Sequence, residues 1–529
     1  MKIFYVLALG ALLCSPASAQ WQTPKHSVPI GQGAAISGFG NAAPGTAGQP
    51  FLSNGPNADP SFQTSPFASL TLPNVFTHDQ IFGSGRPWVD PTAYGAVCDG
   101  MTDSAPAFQQ ADTVAGLTGG AIYVPPCSSS YCIKTGPVIL NSLGEVLFST
   151  SRSTTISACG TDNSVVELSQ PYQSVYNLTI YGKGAPTDTG TVGAITPAVL
   201  IRGTGGGCND CFLDSLNIFG GSNCLSISPP AVNGEFFVWR SYISYCHGSL
   251  VYAQNAGGWF NRMKIDQAWP EGPPAIGTAL NAWAATTSYA RGAVVTSGGY
   301  MIQCSQAGTS GGSAPTLKNY GQTVTDGSAQ WILAGLVGSA ALQLDTGTSE
   351  IYGTDVDMTG ATTYGVQMSN TLSGAPPQFF RCVDCISSQT ASNAYYFQNG
   401  NDVYLTSNIV AGGWTPNSPA VIFNGNFSGQ ATITGGKYGI GSGFGVIFAT
   451  GTNYTIQNTI VGATVQGIAI QVSNVIARGN VISSSGGTGV NINNSLSRVI
   501  VDGNICPNGA SPCANSPTGM TNSSIINNF

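Results

Sequence analysis

The chain has 529 residues, of which 70 are glycine and only 7% are charged, with a formal net charge of −7. Charged residues ordinarily make up about a quarter of a globular domain, so this chain lacks both the basic face of a nucleic-acid binder and the Glu, Lys and Arg of a helical bundle. A hydrophobic fraction of 42% excludes ordinary disorder, which leaves a β-rich protein surfaced by Ser, Thr, Asn and Gly.

Residues 1–19 read as a secretory signal. Lys2 is the positive start, Phe4 to Leu13 the short apolar stretch, and Ala17-Ser18-Ala19 the cleavage site. The expected mature chain begins at Gln20 and is secreted or periplasmic. A lipoprotein attachment through Cys14 is disfavoured by the Ser15-Pro16 that follows it. No segment approaches the ~20 apolar residues of a membrane span. Beyond Cys14, the other thirteen of the 14 cysteines are an odd number, so export predicts disulfides with at least one thiol left over. Cys208/Cys211 and Cys382/Cys385 have Cys-x-x-Cys spacing but no neighbouring His, which favours structural pairs over zinc. Cys506 and Cys513 would staple the C-terminal end.

Residues 20–85 carry no sustained periodicity and read as a Gly/Pro/Asn-rich linker. The run from Gly45-Thr46-Ala47-Gly48 through Asp59-Pro60-Ser61-Phe62 also resembles connectors near the N-termini of phage tail fibres. From residue 86 the pattern changes. Asp90-Pro91-Thr92-Ala93-Tyr94-Gly95 and Asp99-Gly100-Met101-Thr102-Asp103 precede a helix predicted over 105–114, with Asp103 or Ser104 as N-cap. Gly119-Gly120-Ala121-Ile122-Tyr123-Val124-Pro125-Pro126 follows as a strand stopped by prolines. This run resembles the opening of the pectate-lyase superfamily, shared by β-helical enzymes and phage tail spikes. The resemblance implies an all-β, right-handed, single-stranded parallel β-helix (a three-sheet solenoid) capped by that helix, with Asp99 and Asp103 as turn and cap residues.

Independently, short β-branched strands recur near Ile180, Ile218, Ile243, Ile265, Val356, Ile386, Ile409, Ile433, Ile460, Ile482 and Ile505. Most intervals lie near 23 residues, about one three-sided coil of a solenoid. Asn408, Asn480 and Asn504 precede strand residues in a way that suits an Asn ladder satisfying turn backbone. The wide interval from Ile265 to Val356 holds a foreign element at 281–335, with Trp283, Tyr289, Tyr300, Gly308-Thr309-Ser310-Gly311-Gly312 and Trp331. It resembles a small β module of phage tail and carbohydrate-active proteins. Trp283 and Trp331 are either sugar-stacking faces or the core of a very small domain. The expected β-helix therefore spans 86–280 and 336–529, the latter with a C-terminal cap.

Strand alternation locates the outward face. With Ser241 and Ile243, Met263 and Ile265, and Val356 and Met358 facing in, the outward set is Arg240, Tyr242, Arg262, Lys264, Asp266, Asp355 and Asp357. His247 lies just beyond the first strand and Asp384 beside the patch. Paired carboxylates suit glycoside hydrolysis. A carboxylate beside Arg or Lys suits uronate elimination. No cofactor is expected, although in a lyase the acids could hold Ca²⁺ through oxygen ligands, and the same charges suit a plain salt-bridged ladder. Cys246-His247-Gly248 and Arg262-Met263-Lys264 are similar to the Gly-His-Gly and Arg-Ile-Lys motifs of polygalacturonases at shorter spacing. The family's aspartate motifs have no counterpart, since Asp210 and Asp214 stand isolated. The resemblance thus implies the fold and a polysaccharide ligand but not the reaction.

The expected function is a carbohydrate-active protein degrading an acidic polysaccharide by hydrolysis or β-elimination. Asp355, Asp357, Asp266 and His247 are the catalytic candidates, and Arg240, Arg262, Lys264, Trp283 and Trp331 would bind substrate. The alternative is a non-catalytic glycan-binding adhesin or tail-fibre-like rod. The tail-spike resemblance allows a homotrimer, which nothing in the sequence specifies.

Overall fold

The computed structural model describes residues 88–529 apart from 119, 161–162, 186–195, 203–207, 229–233, 318–319, 321, 485–486 and 508–511. Before residue 88 it describes only four short strands, which pair as two antiparallel hairpins, Val28–Gly31 with Phe39–Ala42 and Phe51–Leu52 with Ser61–Phe62. The expected signal segment and most of the connector lie outside the described residues.

From Trp88 the chain winds as a right-handed parallel β-helix with three sheets, A, B and C, visited in that order in each coil. One coil runs through Val146–Phe148 (A), Thr155–Ala158 (B) and Val166–Leu168 (C), and the next through Ser174–Tyr176, Thr179–Tyr181 and Val199–Ile201. Sheet A stacks fifteen strand segments in parallel register from Trp88 to Ile526.

The core is a set of columns. In sheet B, Ile156, Ile180, Ile218, Ile243, Ile265, Met358, Ser387, Val410, Tyr438, Val461 and Ile482 stack one above another, all fully buried. The sequence periodicity is therefore the coil repeat, but it mixes faces. Ile386, Ile409 and Ile460 point outward, 38%, 44% and 45% exposed, because Ser387, Val410 and Val461 take the inward positions. Ile433 belongs to sheet A.

A single residue in the left-handed region turns the chain from sheet A to sheet B. Asn177, Ser215, Arg240, Arg262, Asp355, Asp384, Ser407 and Asn458 occupy this corner with φ between 47° and 59°. Left-handed backbone favours Gly, Asn and Asp, and Gly479 and Gly503 continue the column. Just past the corner lies a buried Asn ladder. Asn408 Oδ1 accepts from the Cys385 amide at 2.8 Å. Asn480 accepts from Thr459, Asn504 from Asn480, and Asn528 from Asn504, each through its side-chain oxygen. Their amide groups donate to Ile456, Ala477 and Val501 carbonyls of the coil before. Each rung satisfies backbone groups that burial would otherwise orphan.

At the N-terminal end the helix Ala105–Thr118 lies over the first coils, longer than expected from its start at the same residue. Asp103 accepts from the Ala105 and Lys134 amides and the Thr135 hydroxyl, and Asp99 accepts from the Met101 and Thr102 amides. Both aspartates are occupied as cap and turn residues. Among the described residues six disulfides pair Cys98–Cys127, Cys132–Cys159, Cys208–Cys211, Cys224–Cys246, Cys382–Cys385 and Cys506–Cys513, leaving Cys304 as a buried thiol.

Between sheets B and C of one coil, the chain leaves the helix to form a separate five-stranded sheet from Asn281 to Leu336, antiparallel except where Asn281–Ala282 pairs parallel with Val295–Thr296. It seats on the B-to-C corner. Trp269 packs edge-on to Trp414 at 5.6 Å, and the Tyr320 hydroxyl donates to the Cys246 carbonyl at 2.7 Å.

Candidate functional site

Two long strands, Ala256–Gln267 and Ser349–Gly360, each bend around the A-to-B corner and continue in sheet B. Their register sets Lys264 beside Asp357 and Asp266 beside Thr359 on adjacent coils. Met263, Ile265, Val356 and Met358 fill the core on the other side of the same strands. Lys264 Nζ lies 3.2 Å from Asp266 Oδ2 and 5.9 Å from the centroid of the Tyr242 ring in the preceding coil. Asp357 is half-buried, and its Oδ1 has no hydrogen-bond partner.

The electrostatics of the two carboxyls differ. Burial holds Asp357 above the usual carboxylate range, the nearby Asp266 charge adds to this, and Lys264 opposes it. Asp266 sits directly on the ammonium, and the Lys264 pKa is raised first by that bond. A half-buried carboxyl with a raised pKa thus stands on the coil next to a carboxylate paired with a cation, two unlike environments of the sort acid–base chemistry uses.

An aromatic surface adjoins the pair. Tyr181 and Phe219 stack at 5.1 Å, Phe219 meets Tyr242 at 5.6 Å, and Tyr245 spans from Phe219 to Tyr320 of the inserted module at 5.9 Å. Burial raises the Tyr245 phenol, with the Tyr242 and Asp266 charges contributing. The site is therefore an open face of sheet B, with apolar rings on one side of the charges and the module as a wall. These rings come from separate coils and from the insertion. The stacking of the coils is the signal that could have found them.

The other anticipated residues lie elsewhere. Arg240, Arg262 and Asp355 are exposed on the left-handed corner rather than on the face of the sheet, because alternation breaks where one residue turns the chain. Arg240 is engaged by Asp214, which is therefore no isolated acid, and Asp384 extends the same corner. His247 is 4% exposed, packed under the module against Tyr320 at 5.8 Å, and does not open onto the face with the carboxyls. Trp331 is fully buried, and Trp283 is partly buried. Their indole nitrogens donate to the same Asp326 carboxylate at 3.3 and 2.9 Å. Trp331 is core of the small module and has no face to offer a sugar. Among the described residues no three His, Cys, Asp or Glu side chains converge as a metal site.

Neither the known family models nor the curated proteins contain a match to this chain. Solved structures do resemble it. The pre-mature gene product 12 of bacteriophage phi29 aligns over 83% of this chain and 57% of its own length, at 11% identity and a TM-score of 0.51. Tailspike protein 3 of bacteriophage CBA120 aligns over 83% and 61% at 12% identity with a TM-score of 0.45. The A-module of the Azotobacter vinelandii mannuronan C-5 epimerase AlgE4 aligns over 83% and 94% at 12% identity with a TM-score of 0.40. The chain thus spans about three fifths of the two phage proteins, and what it has in common with them is the fold. With the coil stacking and the capping helix, the likeness to the phi29 protein shows the fold, a three-sheet parallel β-helix.

Proposed function

We propose that the chain cleaves an acidic polysaccharide on the outer face of sheet B. The observation that carries this reading is the placement of Lys264, Asp266 and Asp357 on two adjacent coils beside a run of aromatic rings. The raised Asp357 carboxyl donates its proton to the glycosidic oxygen. Asp266 takes a proton from water in hydrolysis, or from the sugar carbon beside the carboxylate in elimination. Lys264 neutralises the uronate charge that either route must carry, and the rings offer apolar surface to the sugar faces.

Export is part of the same proposal. Six disulfides suit an oxidising compartment, and no described helix is long and apolar enough to cross a membrane. The homotrimer is also a proposal. Its support is the exposed outward column of Ile386, Ile409, Ile460, Val481 and Ile505, interrupted by Lys437 between Ile409 and Ile460, and sedimentation equilibrium of the chain from Gln20 tests it.

The decisive assay incubates that chain with pectins, alginates and bacterial exopolysaccharides while following reducing ends and unsaturated-uronate absorbance together. Reducing ends alone mean hydrolysis, and both signals mean elimination. Asp357→Asn should lower the rate at least about a hundredfold, the scale of one proton-transfer group, with Asp355→Asn near wild type. Activity that survives Asp357→Asn and Asp266→Asn overturns the site. Binding without cleavage makes the chain the glycan-binding rod.

A further inference from the structure

A second set of carboxylates lies at the corner where sheet C turns into sheet A, across sheet A from the site above. A cavity of about 430 Å³ there is lined by Asp210, Glu235, Glu350, Asn209, Trp259 and the backbone of Gly257–Gly258, with Tyr172 and Ser349 at its rim. Its shape follows from the register. Cys211 pairs with Phe236, Glu235 with Gly257, and Gly258 with Ile351. Asp210, Glu235, Gly257 and Glu350 therefore occupy one column on consecutive coils, about 4.8 Å apart.

The third position of that column is glycine. A Cβ on Gly257 would lie 2.5 Å from the Ser349 carbonyl oxygen, so the backbone of the next coil approaches closely there and the residue must be glycine. The walls are held firmly. Trp259 is stacked between Phe237 and Tyr352, both at 5.1 Å and within 10° of parallel. Asn209 and Asp210 are the two residues enclosed by the Cys208–Cys211 disulfide, so the Cys-x-x-Cys spacing presents them on a closed four-residue loop.

Among the described residues Asp210, Glu235 and Glu350 form no ion pair, and no Lys or Arg lines the cavity. Nor do the three converge tightly enough to hold a metal ion. What fits this lining is an organic cation with hydroxyls, its ammonium shared among spaced carboxylates and its hydroxyls donating to the rest.

We propose that this cavity binds a hexosamine residue bearing a free amine, as a glycan subsite separate from the charged face of sheet B. Its preference is opposite to that of the sheet B face, because three acids repel a uronate.

The test is calorimetric titration of the disulfide-intact chain with a glucosamine hexamer, cellohexaose, an oligogalacturonate and spermidine, at low and high salt. The glucosamine hexamer should bind, with cellohexaose at least tenfold weaker, oligogalacturonate undetectable at this cavity, and spermidine weaker than the amino sugar. Asp210→Asn, Glu235→Gln and Glu350→Gln combined should lower hexamer affinity at least tenfold. Glu235 and Glu350 are exposed, Asp210 is partly so, and none is in an ion pair among the described residues, so the melting temperature should not fall and serves as the folding control. Asp357→Asn should leave hexamer binding intact, so failure of the cleavage reading and failure of this one are told apart. Equal binding of cellohexaose, no effect of the triple variant, or spermidine binding as tightly as the hexamer overturns the proposal.

Discussion

Asp112 on the capping helix and Glu145 in the coil beneath it bring two carboxyls together in the core, 2% exposed each. Asp112 is satisfied by the Gln109 and Asn141 side chains and the Asn141 amide. Glu145 Oε2 accepts from the Ser142 amide, and Oε1 is left without a partner. Burial, then the Asp112 contact and charge, pushes Glu145 up to about 9. The folded state therefore holds a proton that the unfolded chain releases near pH 4.5, and stability falls as pH rises from there toward 9. Glu145→Gln should raise the melting temperature at pH 7, by the equivalent of about 1–3 kcal/mol, and make no difference at pH 4. A thermal melt series against pH checks this.

The sheet B site gives a second pH argument. Asp357 must be protonated to act as an acid, so the rate falls as pH rises through its elevated value. Lys264 pulls that value down, so Lys264→Met should move the falling limb to higher pH while weakening uronate binding. A pH profile of kcat/KM reads both effects. Lys264, Asp266 and Asp357 were legible in the sequence because period-two alternation holds within a strand. Arg262 and Asp355 fall at a left-handed turn where it does not; Asp355 is a residue type that such backbone favours, whereas Arg262 gives no sign of the turn.

At the scale of elements, the coil repeat and the Asn ladder could be read directly, since an Asn beside a strand residue in successive coils has few other uses. Which β-branched residue of a coil points inward could not. At Ile386–Ser387 the chain puts the smaller polar residue inside, because Ser387 stacks between Met358 and Val410 in a column set by its neighbours. The ladder carries a stability prediction. Asn504→Ala strands the Asn480 amide and the Ala477 carbonyl in the core, and each buried unmade bond costs about 1–3 kcal/mol. Denaturant melts should show a loss of about 2–5 kcal/mol, with hydrogen exchange accelerated most in the coils between Tyr454 and Asn528. The inserted module behaves differently. Its Trp residues were ambiguous in sequence because a small sheet needs an aromatic core as much as a lectin needs a platform. The buried Trp331–Asp326 contact resolves that ambiguity for Trp331.

At the scale of the whole molecule, the disulfides are unevenly spread along the solenoid. Cys98–Cys127, Cys132–Cys159 and Cys224–Cys246 close loops of 29, 27 and 22 residues, about one coil each, so each ties a coil to its neighbour. All three lie before the insertion. Beyond it, Cys382–Cys385 and Cys506–Cys513 close loops of 3 and 7 residues and constrain the unfolded chain much less. In the loop-closure picture a coil-length crosslink contributes about 3–4 kcal/mol and a three-residue one about 2. A solenoid couples chiefly nearest neighbours, so this difference stays local instead of spreading through one cooperative core. The C-terminal half relies instead on its Asn ladder and on the aromatic stack of Phe397, Phe423, Phe448 and Tyr454. A reductant under mild denaturant should therefore speed hydrogen exchange in the coils from Trp88 to Ala253 far more than in those from Tyr395 to Asn528, splitting one unfolding transition into two. Equal acceleration in both halves would mean that the stack unfolds as a unit and that coil-to-coil crosslinks are not what holds its N-terminal half.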